Sequence, residues 1–386
     1  MAQAVAGWPA DWKPAATAVI IAAERHRSVG CVTGTSMNRR GSGTQMPRRA
    51  VVTGAGGMLG RHVVARLTQD PGWAVTAFIR TETPAEARGW LNARGVQLIE
   101  APLTDAHAMA AQTPDDTDVY VHLAADTSTD PRDRARQWQT NVAGTAAVAE
   151  AVLLTRVRRL VHVSSASVYG FDRRRVDEHC PKVGADHPVG YVASKAAAEE
   201  AVQDAIARGV DAVILNPGHM LGAWDRHNWA GLIRLAARGR LPAIPPGGGS
   251  FAGAAAVADA VIAAADRAMI GENYLLGGPE ASYQELIRRA GDILGRRLTD
   301  RVAPPRLLMA VAQTLGLVSR LTGLRPTITP DAARITCHMV AIDSDRAKRD
   351  LGYAPPPLDS ILRETIDWLI QAGEIDAPSS STGPVR

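Results

Sequence analysis

The chain has 386 residues, 46% hydrophobic and 21% charged, with a formal charge of +4, which fits a globular protein of one large or two ordinary domains. Its arginines are scattered rather than striped, so no nucleic-acid-binding face is expected, and no apolar run reaches the roughly eighteen residues of a membrane span. Cys31, Cys180 and Cys337 are widely spaced and cannot all pair, and no secretory signal is evident, so a reducing, cytoplasmic setting is expected.

Residues 1–46 contain WPADWKP and RRGSGTQ without a hydrophobic period; they are expected to be a disordered N-terminal extension. From residue 50 strands and helices alternate. AVVT (50–53), WAVTAFI (73–79), VQLIE (96–100), DVYVHLAA (118–125), RRLVHVSS (158–165) and DAVILNP (211–217) read as strands. Helices fill the intervals, with long ones over 135–155 and from Tyr191. Strands separated by helices of this length imply parallel βαβ units and an α/β fold.

Beyond Pro217 the order loosens. WDRHNW (224–229) and LPAIPPGGGS (241–250) read as loops, AAVADAVIAAADRA as a helix, and NYLLGG (273–278) as a strand. SYQE (282–285) has the spacing of a capping box and opens a helix. RLLMAVAQTLGLVSRL (306–321) is a strongly apolar helix, expected in the core or as a pocket lid ahead of a contact with a membrane surface. LDSILRETIDWLI (358–370) is a final amphipathic helix. The expected division is a nucleotide-binding domain of residues 47–217 and 251–271, a smaller substrate-binding domain of 218–250 and 272–375, and a loose tail, 376–386.

Glycines crowd the first strand-to-helix turn, TGAGGMLG (53–60). A dinucleotide pyrophosphate needs a tight turn, a close backbone approach and free N–H groups at a helix N-terminus. Gly54, Gly57 and Gly60, with Met58 and Leu59 between them, meet those needs. The second strand ends Phe78-Ile79-Arg80-Thr81 with no acid for ribose hydroxyls. Arg80 suits a 2′-phosphate instead, so NADP is expected ahead of NAD. Arg61 is a second phosphate candidate.

Tyr191 and Lys195 stand at i and i+4 and project from one helix face. Only four lysines occur, at 13, 182, 195 and 348, against six tyrosines, so the pairing is rarely met by chance. The pair follows the fifth strand, whose end carries Ser164, Ser165 and Ser167, and ligands bind at the carboxyl ends of strands in open α/β sheets.

The ordered set TGAGGMLG, HLAA, NVAGT, SSASVYG and YVASK resembles the extended short-chain dehydrogenase/reductase superfamily over about residues 48–372. That group includes NAD(P)-dependent epimerase/dehydratases, dihydroflavonol reductase-like enzymes and 3β-hydroxysteroid dehydrogenases. The resemblance implies a Rossmann doubly wound parallel sheet with a smaller C-terminal substrate-binding domain. It implies that Tyr191 passes a proton to or from a carbonyl oxygen as hydride moves. Lys195 would lower the phenol's pKa and hold the nicotinamide ribose, Ser165 would hydrogen-bond the reacting oxygen, and Asn141 would support the active-site water and lysine. Ala124, Ala125 and Pro217 would lie against the cofactor, and Asn216 against the substrate. Family members often pair through the helices at 135–155 and 191–208, so a homodimer is an expectation.

The chain departs from the family in places. Ala101-Pro102-Leu103 replaces Gly-Asp-Leu, and SFAGAAAVAD keeps only Phe251 and Asp259 of a block that carries a pyrophosphate-binding arginine. That counts against a nucleotide-sugar substrate, leaving a sugar epimerase or dehydratase as the alternative to an oxidoreductase acting on a largely apolar carbonyl or alcohol. A non-catalytic NADP-sensing protein is the third possibility, against which the intact Tyr191, Lys195 and Ser165 argue. His219, Met220, Trp224, His227 and Trp229 follow the sixth strand and are expected to line the pocket. His122 reads as a satisfied core histidine. The cluster Asp177, Glu178, His179, Cys180, Asp186 and His187 fits no usual ligand spacing, so no metal is expected.

Overall fold

The computed structural model describes residues 46–226 and 228–378. The expectations for the N-terminal extension and the tail therefore lie outside the described residues, except at Met46 and 376–378, as does that for His227.

Seven parallel strands form the main sheet: β1 (Arg48–Thr53), β2 (Trp73–Ile79), β3 (Gln97–Glu100), β4 (Val119–His122), β5 (Arg159–Val163), β7 (Ala212–Pro217) and β10 (Asn273–Leu276). Their order is β10-β7-β5-β4-β1-β2-β3, with helices on both faces: a Rossmann α/β sheet. Buried on both sides, the central strands are nearly continuous runs of Val, Ile, Leu and Ala, as parallel strands demand. One face packs on helices Met58–Gln69 and Ala254–Arg267, the other on Gly144–Thr155 and Gly190–Ala207. Chain direction across the sheet reverses between β1 and β4, which opens a crevice at their carboxyl ends.

A smaller sheet joins β6 (Arg175–Val176), β8 (His219–Leu221), β9 (Gly248–Gly253), β11 (Glu280–Ser282) and β12 (Met339–Ile342). It caps a second core containing Leu221, Ile233, Phe251, Tyr283, Leu286, Ile361 and Leu362. Two details differ from the sequence reading. Residues 248–250, expected as loop, open β9. The seventh strand of the main sheet, β10, lies beyond residue 271, where the nucleotide-binding part was expected to end.

Helix Pro305–Thr322 forms where it was expected, but only Ala312 and Ser319 of its eighteen residues are buried. It is not a core helix, which corrects the expectation of a core element.

Candidate active site

Gly54 sits at φ +72°, and a Cβ there would lie 2.7 Å from the Ala124 backbone N. The turn after β1 therefore presses directly on the end of β4, and only glycine fits. A side chain on Gly60 would collide with the Gly54 carbonyl oxygen, so the turn and the first helix are locked in close approach. Gly57, the N-cap of Met58–Gln69, supplies no side-chain cap, and no acid occupies the first turn. This bare, positive helix N-terminus beside a glycine cradle fits a dinucleotide's pyrophosphate.

Beyond β2 the side chains sort themselves by pairing. Arg61 is buried and grips Glu86 with two bonds of 2.7 Å, while its Nε donates to the Gly56 carbonyl at 3.1 Å. Its charge is neutralised, so the expectation of a second phosphate ligand meets an occupied guanidinium. Arg88 donates to the carbonyls of Arg80, Thr81 and Thr83 and to Glu100, and so shapes the loop after β2. Arg80 is exposed, and its guanidinium makes no hydrogen bond or ion pair among the described residues.

Ser165 ends β5's exit and caps a short 3-10 turn, Ala166–Tyr169, its Oγ accepting from the Ser167 backbone N at 3.2 Å. The Ser167 hydroxyl donates to the same oxygen at 2.9 Å. Tyr191 opens helix Gly190–Ala207, near enough to Ser165 for that side chain to act on its phenol. The two side chains expected to share a substrate oxygen are thus neighbours. Ser164 Oγ, by contrast, is buried without a partner among the described residues.

Lys195 is buried one turn along, and its ammonium donates to the Val163 carbonyl at 2.9 Å. Burial lowers its pKa to about 8, opposed by the Glu199 carboxylate. Burial dominates at Tyr191 too: it pushes the phenol's pKa up, with the Ser165 side chain pulling the other way. This differs from the expectation that Lys195 lowers it. The reason is geometric, since the ammonium is aligned on a strand carbonyl.

Asn141 lies in a π-helical turn, Gln139–Ala143, inside the long helical stretch; such turns often mark functional positions. Its Nδ2 donates to the Asp126 carbonyl and to Ser194 Oγ, both at 2.9 Å, and its Oδ1 accepts from the Asp126 N at 2.7 Å. It fastens the chain after β4, where Ala124 and Ala125 lie, to the residue before Lys195. His122 bridges Thr53 Oγ1 at 2.7 Å and Thr145 Oγ1 at 2.9 Å; burial lowers its pKa to about 3, so the ring is neutral.

The substrate-side residues scatter. Asn216 is fully buried, and its Nδ2 donates to the Ser165 carbonyl at 3.1 Å and Glu199 Oε1 at 2.5 Å, while its Oδ1 accepts from Asn273 at 2.8 Å. Such an amide positions the serine turn and does not reach a ligand, which corrects the expected substrate contact. Pro217 is buried at the end of β7. Trp224, at φ +65°, packs its ring on His62 at 4.8 Å and Trp90 at 5.5 Å. That correction places it against the helices flanking the glycine turn. Met220 packs partly buried against the main core. His219 stacks with Trp229 at 4.1 Å and lies near Phe251 and Tyr283. Burial lowers its pKa to about 4, and its Nδ1 and the Tyr283 hydroxyl have no partner among the described residues. Among the described residues, no group of three or more His, Cys, Asp or Glu is placed to hold a metal.

Residues 50–277 match the NAD dependent epimerase/dehydratase family. The chain belongs to that family. It is 28% identical to sterol demethylase protein B of Methylococcus capsulatus over 84% of this chain and 99% of that protein. It is 30% identical to a 4-hydroxy-2-methyl-3-oxo-4-farnesyl-3,4-dihydroquinoline-1-oxide ketoreductase of Stigmatella aurantiaca, over 84% of this chain and 96% of that one. The crystal structure of UDP-glucuronic acid 4-epimerase from Bacillus cereus in complex with NAD superposes with a TM-score of 0.67 at 20% identity, covering 84% and 96% of the two chains; that likeness establishes the fold.

Around this epimerase/dehydratase scaffold, several residues escaped sequence reasoning. Ser194, Thr145 and Glu199 matter because they anchor Asn141, His122 and Asn216. Glu199 stands at i+4 from Lys195, a spacing that marks it as sharing that helix face. Nothing local marks Ser194 or Thr145.

Proposed function

We propose that this family member is an NADP(H)-dependent oxidoreductase that interconverts a carbonyl and an alcohol on a small, largely apolar molecule. The observation that carries the reading is the placement of the Ser165 and Tyr191 side chains beside each other at the carboxyl end of β5. When bound, the dinucleotide supplies or accepts the hydride. Gly54, Gly57 and Gly60 would cradle its pyrophosphate, and Arg80 its 2′-phosphate. A phenol raised above its ordinary pKa is protonated at neutral pH, which suits Tyr191 to donate its proton to an oxygen that gains charge. Ser165 Oγ holds that oxygen in place, a type of contact worth about 10²–10³ in rate. Lys195, cationic below about pH 8, would hold the nicotinamide ribose one turn along the helix from the phenol. A ketoreductase is among the relatives the chain resembles, which supports an apolar carbonyl substrate over a sugar nucleotide. The cytoplasm is the compartment this reading assigns.

A panel of aldehydes and ketones assayed with NADPH and NADH side by side tests the proposal. NADPH oxidation that Tyr191→Phe abolishes, with cofactor binding retained, is the expected result. Tightly bound cofactor with no net turnover of any carbonyl would favour an epimerase or dehydratase instead. Cofactor binding unchanged by any ligand, with no chemistry, would favour a sensor.

A further inference from the structure

Helix Pro305–Thr322 is unlike the other long helices of this chain. Its inner side, with Ala312 and Ser319, packs beside helix Pro330–Thr336, where Pro330 lies under Gly316. Its outer side exposes Leu307, Val311, Leu317, Val318 and Leu321, and Leu324 follows just beyond. Leu321 and Leu324 are 81% and 71% accessible, too open to be incidental gaps in packing. At about 100° per residue, Leu307, Val311, Val318 and Leu321 fall on one stripe that Thr314 shares, its hydroxyl turned back to the Ala310 carbonyl, with Leu317 at the margin. Arg306 and Arg320 stand about four turns apart on the rim of that stripe. From Arg301 to Pro330 the chain carries four arginines and no acid. Arg301, Arg306 and Arg320 have no ion-pair partner among the described residues. An apolar stripe edged by unpaired cations is the pattern of a helix that lies in a membrane interface. No described helix is long and apolar enough to cross a bilayer.

The far end of the helix is tied to the active-site loop. Arg132 donates to the carbonyls of Gly323 at 3.0 Å and Leu324 at 3.3 Å, capping the helix C-terminus. Arg325 holds Asp133 through both carboxylate oxygens, at 2.9 and 3.1 Å, and Thr329 meets Thr129 at 3.0 Å. These contacts fall on residues 129–133, a few positions after Asp126, which Asn141 clamps. The exposed stripe is thus fixed next to the chain that leaves β4.

We propose that the outer face of helix Pro305–Thr322 docks on an anionic lipid bilayer, holding the catalytic crevice beside the membrane surface. The acid-free charge pattern chooses lipid over a second copy of this chain, since two like-charged rims would face each other in a symmetric pair. The role in delivering an apolar substrate rests on the carbonyl–alcohol reading above; the docking itself does not.

The test is co-sedimentation of the full chain with vesicles of phosphatidylglycerol and phosphatidylcholine, against vesicles of phosphatidylcholine alone. The chain is expected to pellet with the anionic vesicles and to release in high salt. Arg306→Ser with Arg320→Ser is expected to weaken partition about 30-fold, at about 5-fold per arginine near an anionic surface. Leu317→Ser with Leu321→Ser is expected to abolish binding while leaving circular dichroism and the thermal midpoint unchanged, because both side chains are exposed. A chain that stays in the supernatant with anionic vesicles overturns the proposal. So does a dimer in light scattering that the leucine variant dissociates, which would make the face a contact between copies. Turnover of a water-soluble aldehyde by the unaltered chain separates the two readings: vesicle binding without any carbonyl reduction would sink the chemistry and leave the docking, and carbonyl reduction without vesicle binding would sink the docking alone.

Discussion

The Asn216 side chain donates to the carbonyl oxygen of Ser165 across 51 positions of sequence, at 3.1 Å. It thereby fixes the backbone of the serine turn from the neighbouring strand. Asn216→Leu is expected to reduce kcat about tenfold or more through a displaced Ser165, since buried polar groups that lose a partner cost about 1–3 kcal/mol. KM for NADPH should stay within a factor of two. A change confined to KM would show that Asn216 touches a ligand after all.

Arg80, just past β2, keeps its guanidinium free of hydrogen bonds and ion pairs among the described residues. Arg80→Ala is expected to raise the Kd for NADPH by about 10- to 100-fold, the range of a charge-assisted contact of about 1.5–3 kcal/mol, and to leave NADH binding nearly unchanged. Isothermal titration with both nucleotides checks it. Equal loss for the two would remove the argument for a 2′-phosphate contact.

Lys195 sets a pH limit. With its pKa at about 8, the ammonium is present below that value and absent above it. The reductive kcat/KM of the enzyme should therefore fall as pH rises through about 8. Lys195→Met should remove that limb and cut the rate at pH 7. A profile flat from pH 7 to 9.5 contradicts a role for the cation.

Acid should unfold the protein through its buried histidines. His122, His162 and His219 all sit well below their ordinary pKa, chiefly through burial. A base with a lowered folded pKa takes up protons in the unfolded chain first. Stability is accordingly intact near pH 7 and falls as pH drops below about 6.5, by about 1.4 kcal/mol per pH unit for each such ring. Urea midpoints measured from pH 7 to pH 5 should show this slope, and His219→Phe should flatten it by about a third. A midpoint independent of pH over that span would mean these rings protonate freely in the folded state.

Much of the fold was readable because the signals were local. WAVTAFI was expected as a strand over 73–79 and forms β2 at those residues. The glycine turn and the Tyr191 helix likewise carry their geometry in neighbouring residues. The failures were all set by distant contacts. Gly248 and Gly249 look like loop, yet they build β9 because the Ala281 backbone and the His219 ring lie where their side chains would be. Trp224 followed the sixth strand as a pocket residue should, but its left-handed backbone sends the ring toward His62 and Trp90. The apolar helix 306–321 predicted a buried partner, and composition carries no information on whether one exists. At the site itself, the chemistry-bearing residues were legible by type and spacing. Their supports, Ser194 and Thr145, were not, because a single hydroxyl in a helix has no signature until its neighbour is known.

The placement of β10 has a consequence for biosynthesis. Its partner β7 ends at Pro217, and β10 begins only at Asn273. During translation at about 5–20 residues per second, that gap leaves one flank of the main sheet without its neighbour for roughly 3–11 s. The nascent chain meanwhile shows a row of unpaired amides and carbonyls along β7. Any ribosome pause in that interval would prolong a state prone to stick to another strand, so chaperone demand should concentrate there.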